Sequence, residues 1–324
     1  MNMIRFGVVG AGRIAQTFSK AVKGTEESLY AIASRNIDKA TQYQKDYGFE
    51  KVYGSYEALL EDPNVDCVYI ATPHGLHYEH MMLALNHKKN ILCEKSFTLN
   101  AKQTETVLNK AKENNLFVME AMWTIFLPTI REVKKLVDSG VIGKITKIEA
   151  GFGFAIEDHR KDRLIDPKMG GGALLDLGVY PIHFANLFLG SPDHYETEVI
   201  MDPRGFDFSA TYTFFYPGAK ANLASSLAEQ LDTTGYIYGT KGYIKIPDFW
   251  KAEQAFVYNQ NNQLIRKIAH PHLVNGFEYE INEVARCLNE NLKESPLLPH
   301  NITIEVMKQM DALKKTWGLK FPNE

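Results

Sequence analysis

Short apolar runs alternate with longer amphipathic stretches along the first 121 residues. The runs are rich in β-branched and aromatic residues, and most of the intervening stretches carry apolar residues at helical spacing. This alternation predicts a βαβ series with strands at Ile4–Val9, Leu29–Ser34, Lys51–Tyr53, Cys67–Thr72, Ile91–Glu94 and Phe117–Ala121. The near-continuous apolarity from Cys67 to Ala71 is typical of a strand covered on both faces. We therefore expect an α/β fold with a six-stranded, doubly wound parallel sheet.

The pattern changes after Pro128. A predicted helix at Thr129–Asp138 leads into Lys144–Phe154, which alternates like an antiparallel strand. Further strands are predicted at Phe208–Tyr216, Lys220–Ser226, Gly235–Tyr238, Tyr243–Ile246 and Gln254–Tyr258, and helices at about 277–292 and 302–316. Strands clustered after a βαβ half predict an α+β domain with an open, mostly antiparallel sheet. We expect domains at 1–122 and 123–324, with the final helix a candidate for packing back on the first.

Length and charge narrow the function classes. The 324 residues suit two domains, and 36 Lys and Arg against 39 Asp and Glu leave no positive surplus for nucleic acid. Apolar stretches such as Ala121–Leu127 fall short of the roughly 20 residues that cross a bilayer, so we expect no membrane span. The amino terminus lacks a signal-peptide pattern, and Cys67, Cys93 and Cys287 form no CxxC pair. We expect a cytoplasmic protein with reduced thiols.

A glycine motif lies where the first strand should become the first helix. Gly10-x-Gly12-x-x-Ala15 allows a tight turn, a close backbone approach to a pyrophosphate and close helix packing. Arg13 and Ile14 follow at the helix end, where free N–H groups attract phosphate. We expect a dinucleotide to bind at Gly10, Gly12, Arg13 and Ile14, the alternative being a glycine turn in another α/β fold.

The second strand indicates which dinucleotide binds. An acidic residue for the ribose 2′-hydroxyl should end this strand, but the sequence there is Ala33-Ser34-Arg35-Asn36. Ser34 can hydrogen-bond a 2′-phosphate, and Arg35 can pair with it or lie on the adenine. NADP is therefore favoured, with NAD as the alternative if Arg35 only faces solvent and Asn36 caps the next helix.

Four motifs together resemble the glucose-fructose oxidoreductase, inositol dehydrogenase and MocA (Gfo/Idh/MocA) family across nearly the whole chain. They are the glycine loop, the strand ending in Ala71-Thr72-Pro73 with His77 after it, the Glu94-Lys95 pair, and the segment from Gly170-Gly171-Gly172 through Asp176 to Tyr180. The segments Glu120–Thr124 and Asp176–Tyr180 are most similar to the branch of trans-dihydrodiol dehydrogenases and NADP-dependent aldose (xylose-type) dehydrogenases.

The resemblance implies a Rossmann domain, an open-faced second domain with substrate in the cleft between them, and a homodimer or homotetramer formed through the sheet. It implies that Lys95, Asp176 and Tyr180 are catalytic. It places Ala71, Thr72, Pro73, His77, Glu94 and Lys95 at the cofactor. Two residues depart from the family pattern: Ser96 replaces a proline, which can loosen the turn presenting Lys95, and Ile125 replaces an arginine, which removes a substrate contact.

Hydride transfer from an alcohol requires a base for the hydroxyl proton and a positive group for the developing alkoxide. We interpret Tyr180 as the acid/base, Lys95 as the ammonium that lowers its pKa, and Asp176 as the residue that orients Lys95 or a sugar hydroxyl. The alternatives are that Tyr180 is a core tyrosine, that Lys95 is a surface lysine and that Asp176 is a cap within the glycine-rich turn. His183 lies one helical turn beyond Tyr180 and is a second candidate proton carrier, or else an ordinary helix histidine.

Trp123 and Arg163 each have two interpretations, and three histidines raise the question of a metal site. Trp123 either lines the nicotinamide end of the cleft or belongs to the core. Arg163 either grips substrate hydroxyls or cofactor phosphate, or is a solvated loop charge. The trio His74, His77 and His80 lacks the HExxH pattern or a supporting carboxylate, so we expect no metal site.

The sequence thus predicts an NADP-dependent oxidoreductase acting on a secondary alcohol or hemiacetal carbon of a sugar, polyol or cyclic trans-diol. Two alternatives within the same family are a dinucleotide-binding sensor that does not turn over its cofactor and a redox-assisted glycosidase. Neither the substrate nor the direction of the reaction follows from the sequence.

Overall fold

The chain forms two compact units, each built from discontinuous segments. The computed structural model describes residues 2–156 and 161–324. The first unit comprises Met1–Ala121 with His272–Ile304, and the second comprises Met122–Pro271 with Glu305–Glu324. The final helix, α11 (His300–Trp317), therefore contributes residues to both units.

The first unit contains the predicted six-stranded parallel sheet. Its strands are β1 (Arg5–Val9), β2 (Ser28–Ala33), β3 (Lys51–Tyr53), β4 (Cys67–Ile70), β5 (Asn90–Glu94) and β6 (Val118–Ala121). Their order is β3-β2-β1-β4-β5-β6 and every neighbouring pair is parallel, which confirms the doubly wound fold. The order reverses between β1 and β4, and ligands of such sheets bind outside the carboxyl ends of strands at this point.

Helices cover the sheet of the first unit. They are α1 (Arg13–Val22), α2 (Ile37–Tyr47), α3 (Tyr56–Leu60), α4 (His74–Asn86), α5 (Ala101–Glu113) and α10 (Phe277–Asn289). Side chains of Asn36, Ser55 and Asn100 cap α2, α3 and α5 by accepting backbone N–H groups. The strands read as continuous apolar runs because both faces of the sheet are covered, and Cys67 and Cys93 are buried within them.

The second unit contains an eight-stranded sheet of order β14-β13-β12-β11-β7-β10-β9-β8. Its strands are β7 (Ile145–Gly153), β8 (His194–Asp202), β9 (Phe206–Tyr216), β10 (Ala219–Ser226), β11 (Gly235–Gly239), β12 (Gly242–Ile246), β13 (Gln254–Asn259) and β14 (Leu264–Ala269). The β7–β10 pair is parallel and the other pairs are antiparallel, which confirms a mostly antiparallel sheet.

The helices of the second unit are α6 (Trp123–Phe126), α7 (Pro128–Asp138), α8 (Lys161–Leu164), α9 (Val179–Leu189) and most of α11. A π-helical segment, Leu174–Gly178, leads directly into α9. Among the described residues, one stretch, Pro167–Leu189, is long and apolar enough to cross a membrane, and the sequence analysis did not single it out. In this stretch, 83% of the most apolar window is buried within the protein, which is typical of a core helix.

Candidate active site

The glycine loop of the first unit packs closely against the segment that follows β4. Gly10 has a φ of 100°, and a Cβ there would lie 3.0 Å from Thr72 Cγ2 and 3.2 Å from the Ala71 carbonyl oxygen. Gly12 is the N-cap of α1, and this helix end has neither a side-chain cap nor an acidic residue in its first turn. Its backbone N–H groups are therefore positioned to receive an anion, which fits the pyrophosphate.

The loop after β2 presents the residues predicted to select NADP. Ser34 Oγ accepts a hydrogen bond from the Asn36 amide at 3.2 Å, and Asn36 caps α2. Arg35 is exposed, and its guanidinium donates a hydrogen bond to the Tyr56 hydroxyl. Burial raises the pKa of Tyr56, while the adjacent positive charge of Arg35 lowers it. Asn36 is thus the helix cap, as in the NAD alternative, whereas Arg35 is exposed but also contacts Tyr56, so that this loop suits a 2′-phosphate and is compatible with NAD as well.

Tyr56 also links this loop to the one after β4. The Tyr56 and His80 rings meet edge to face with centroids 4.8 Å apart, and His80 Nδ1 lies 2.9 Å from Thr72 Oγ1. Burial lowers the pKa of His80, and the positive charge of Arg35 lowers it further. A chain of contacts therefore runs from Arg35 through Tyr56 and His80 to Thr72. The sequence analysis did not single out Tyr56, because no motif marks it.

His77 connects the loops that follow β4 and β5. Its ring is fully buried, with Nε2 at 2.7 Å from the Thr72 carbonyl oxygen and Nδ1 at 2.9 Å from the Ser96 carbonyl oxygen. Burial lowers the pKa of His77 to about 4, so the ring is neutral near pH 7. A neutral imidazole has one N–H and donates to one of these carbonyls at a time. His77 thus holds the loop that carries Thr72 against the segment that follows Lys95.

A buried acidic pair includes Glu94, the residue that precedes Lys95. Lys95 directly follows β5 and is partly exposed, whereas Glu94 is buried and accepts a hydrogen bond from the Tyr69 hydroxyl. Glu280 of α10 is fully buried, and no described residue hydrogen-bonds either of its oxygens. Burial, and then the negative charge of Glu94, raise the pKa of Glu280 well above its usual value. Glu280 therefore keeps its proton to a higher pH than an exposed carboxyl does, a feature that the sequence analysis missed.

In the second unit, Asp176 and Tyr180 lie on one helical run that starts after the triple glycine. Asp176 belongs to the π-helical segment, and its Oδ1 accepts a hydrogen bond from Arg163 at 3.1 Å. The Asp176 side chain is 11% exposed and that of Arg163 is 43% exposed, so the pair lies at the edge of the solvent. Arg163, predicted to be a substrate or phosphate ligand or a solvated charge, is thus an ion-pair partner of Asp176.

Tyr180 belongs to a cluster of rings that we name the aromatic wall: Trp123, Phe152, Tyr180 and Trp250. Phe152 of β7 stacks on Trp250 with centroids 4.6 Å apart, and the Tyr180 ring lies 5.3 Å from Phe152 and 6.1 Å from Trp250. Trp123 meets Trp250 edge to face at 5.3 Å. The wall is an apolar surface of rings that mostly meet at steep angles, with the Tyr180 phenol among them, which suits the apolar face of a cyclic ligand.

His183 lies one turn beyond Tyr180 on α9 and is more deeply buried, with 1% of its surface exposed against 6% for Tyr180. The three histidines of α4 do not form a metal site with other ligands. Across residues 2–156 and 161–324, no group of three or more His, Cys, Asp or Glu side chains is arranged to hold a metal ion.

The comparisons with known proteins agree with this fold. The profile of the oxidoreductase family with an NAD-binding Rossmann fold, GFO/IDH/MocA, matches residues 4–122, and the GFO/IDH/MocA C-terminal domain matches residues 130–245. Trans-1,2-dihydrobenzene-1,2-diol dehydrogenase of Xenopus tropicalis is 32% identical over 333 residues, covering 98% of this chain and 99% of that protein. The Mus musculus enzyme of the same name is 31% identical, covering 99% of each.

Two solved structures extend the similarity. KijD10, a 3-ketoreductase from Actinomadura kijaniata in complex with NADP and TDP-benzene, superposes with a TM-score of 0.85 at 28% identity, over 97% of this chain and 98% of that one. An aldose-aldose oxidoreductase from Caulobacter crescentus, complexed with glycerol, shares the fold with a TM-score of 0.87 at 21% identity, over 97% of each chain. With both domain profiles matched and full-length relatives at this identity, the chain belongs to the GFO/IDH/MocA family of oxidoreductases.

Proposed function

We propose that this protein is an NADP-dependent oxidoreductase that interconverts a secondary alcohol or hemiacetal and the corresponding carbonyl in a sugar, polyol or cyclic trans-diol. The observation that carries the proposal is the helical run of the second unit, where the Arg163–Asp176 pair and Tyr180 lie beside the aromatic wall. Hydrogen-bonding groups next to an apolar surface suit a hydroxylated ring. A bound nicotinamide supplies the hydride acceptor or donor.

In this proposal Tyr180 exchanges the proton of the substrate hydroxyl. A phenol has a pKa of about 10 in water, and a neighbouring ammonium favours its ionised form. We assign that ammonium, and a hydrogen bond to the substrate oxygen, to Lys95. Asp176 orients a substrate hydroxyl or Lys95, and Arg163 holds the Asp176 carboxylate. His183, one helical turn beyond Tyr180 on α9, is a second candidate proton carrier.

The preference for NADP rests on the loop after β2. No carboxylate ends this strand to bind a ribose 2′-hydroxyl, and Arg35 is held by Tyr56 beside Ser34. The guanidinium offers a planar donor set that matches a phosphate. Support also comes from KijD10, which binds NADP in its solved complex. We propose that the other predicted residues of the glycine loop and of the loops after β4 and β5 surround the rest of the cofactor.

The aromatic wall favours a substrate with an apolar ring face. The relatives in Xenopus tropicalis and Mus musculus are named for a cyclic diol, trans-1,2-dihydrobenzene-1,2-diol. Such a ring can pack against the stacked pair Trp250 and Phe152 while its hydroxyls reach Tyr180 and Asp176. A pyranose has a similar flat face of C–H groups, so sugars stay in the proposed substrate class.

The test is to follow nicotinamide absorbance with NADP⁺ and with NAD⁺ against matched panels of aldoses, open-chain polyols and cyclic trans-diols. We expect turnover with NADP⁺ and at least one cyclic class. If no member of the panel reacts while NADPH still raises the melting temperature, the oxidoreductase proposal fails, and the dinucleotide sensor or the redox-assisted glycosidase replaces it.

We further propose that the protein is cytoplasmic and that copies associate through the sheet of the second unit. Its three cysteines are buried and unpaired, which suits a reducing compartment. Four tyrosines, Tyr236, Tyr238, Tyr243 and Tyr258, contact one another in series across β11, β12 and β13. Light scattering should show a dimer or tetramer, and Tyr238→Glu should shift it toward monomer; a monomeric wild-type protein contradicts this proposal.

A further inference from the structure

A buried carboxylate on β9 contacts the start of the helical run that carries Asp176 and Tyr180. Asp207 is fully buried, and its Oδ2 accepts a hydrogen bond from the backbone amide of Leu174 at 2.6 Å. The backbone amide of Ala173 also stabilises the ionised carboxyl. The amino-terminal end of a helical run attracts negative charge because its first N–H groups lack partners within the helix. Asp207 supplies that charge from a neighbouring strand.

Two glycines of the run make room for side chains of β9. Gly172 has a φ of 130°, and a Cβ there would lie 2.3 Å from Asp207 Oδ1. A Cβ on Gly178 would lie 2.7 Å from the hydroxyl oxygen of Tyr212. The helical run therefore packs against β9 on both sides of Asp176. The first of these contacts, at Gly172, is with the Asp207 carboxylate.

We propose that Asp207 is a positioning residue for the reaction: its carboxylate fixes the start of the helical run and so sets the orientation of Asp176 and Tyr180. The inference rests on the proposed function, since it takes those two residues to act on the substrate. Asp207 itself has no exposed surface and cannot touch a substrate. Its effect passes through the backbone of residues 173–180.

The electrostatics of Asp207 favour this role over a purely stabilising one. Burial raises the pKa of Asp207 to about 7, against the opposing effects of the Leu174 and Ala173 amides and of Lys314 on α11. Lys314 also pairs with Asp311 and Glu324, and the buried Tyr212 hydroxyl is a further titratable group nearby. Because the folded pKa exceeds the unfolded one, the stability associated with Asp207 falls as the pH rises from about 4 to about 7. Ionisation of Asp207 therefore lowers the free energy of unfolding, while in our proposal the ionised carboxylate orders the helical run.

The experiment compares wild type with Asp207→Asn, which keeps the shape and a carbonyl acceptor but cannot ionise. Asp193→Asn changes an exposed aspartate before β8 and is the matched control. We expect kcat of Asp207→Asn to fall by about tenfold or more above about pH 7, with KM within about twofold of wild type. The loss of kcat relative to wild type should shrink below about pH 7, where Asp207 of the wild type is itself protonated. Its melting temperature at about pH 8 should equal or exceed that of wild type, because no buried charge is formed.

Hydrogen exchange of residues 173–180 separates this inference from the proposed function, because it needs no turnover. Asp207→Asn should speed exchange there relative to Asp193→Asn. In wild type alone, protection of these amides, corrected for intrinsic rates, should decrease below about pH 7, which is measurable even if the variant does not fold. Absence of turnover in wild type would defeat the proposed function only. Unchanged kcat, unchanged exchange, or a melting temperature lowered equally at acidic and alkaline pH would each overturn the positioning role.

Discussion

At the residue scale, Lys95 is the most direct test of the assigned chemistry. Lys95→Ala should reduce turnover by about a hundredfold or more, because both the charge that favours the Tyr180 phenolate and the donor to the substrate oxygen are lost. Cofactor binding should be largely retained, since the glycine loop and Arg35 are unchanged. Steady-state rates and the rise in melting temperature with NADPH measure the two effects. Lys112→Ala, on the exposed face of α5, is the control. Turnover that survives in Lys95→Ala contradicts the assignment.

Arg35 tests the cofactor preference at the same scale. A charge-assisted hydrogen bond contributes about 1.5–3 kcal/mol, so Arg35→Ala should weaken NADPH binding by about tenfold or more. NADH lacks the 2′-phosphate and should bind nearly as before. Dissociation constants for both cofactors, measured by titration, give the ratio. Lys39→Ala, an exposed charge on the adjoining helix, should change neither. Equal losses for NADPH and NADH would mean that Arg35 contacts the adenine and not the phosphate.

At the element scale, the helical run of the second unit depends on its glycine turn. Gly172→Ala places a Cβ against the Asp207 carboxylate at a strained φ, so we expect a loss of about 1–3 kcal/mol in stability together with lower kcat. Gly190 ends α9 with a φ of 73° and open space around it. Gly190→Ala should therefore lose about 1–2 kcal/mol from backbone strain alone and keep its kcat. Similar kcat values for the two variants would show that the turn does not position the run.

Most elements could be predicted because their own residues determine them. The strands of the first unit are continuous apolar runs, since both faces are covered. Two strands of the second unit, β8 and β14, were missed. Both are edge strands: all but one of the β14 residues are exposed, and those of β8 are exposed or half-buried, so neither strand has a fully buried apolar face. The alternation in β7 correctly indicated a half-buried strand but not its direction, and one of its neighbours, β10, proved to be parallel.

The candidate site likewise contains residues that the sequence predicts and residues that only the fold shows. Gly10 and Gly12 are recognisable because local spacing carries their chemistry, and Asp176 is recognisable through the resemblance to the family. Residues that contact such motifs from distant parts of the chain are not recognisable in the sequence. Asp207, for example, lies 33 positions from its partner Leu174. Glu280 similarly contacts the first unit after the chain has passed through the second. Only the fold shows such partners, because no sequence pattern links a buried acid to a distant turn.

At the scale of the whole molecule, the return of residues 272–304 to the first unit introduces an acid that makes stability depend on pH. Helix α10 packs against α1 and buries Glu280 near Glu94 and Tyr69. The pKa of Glu280 is raised in the folded protein, so the native state binds a proton that the unfolded state releases above about pH 4.5. The stability associated with Glu280 is therefore fully present below that pH and decreases as the pH rises toward the folded pKa.

Glu280→Gln should remove this dependence, because the amide stays neutral and has nearly the same shape. We expect the variant to be more stable than wild type at about pH 8 and equally stable near pH 4, as measured by thermal and urea unfolding across this range. Glu61→Gln, an exposed acid at the end of α3, should leave the curve unchanged. A variant that is less stable than wild type at alkaline pH would mean that Glu280 is ionised and paired in the native state.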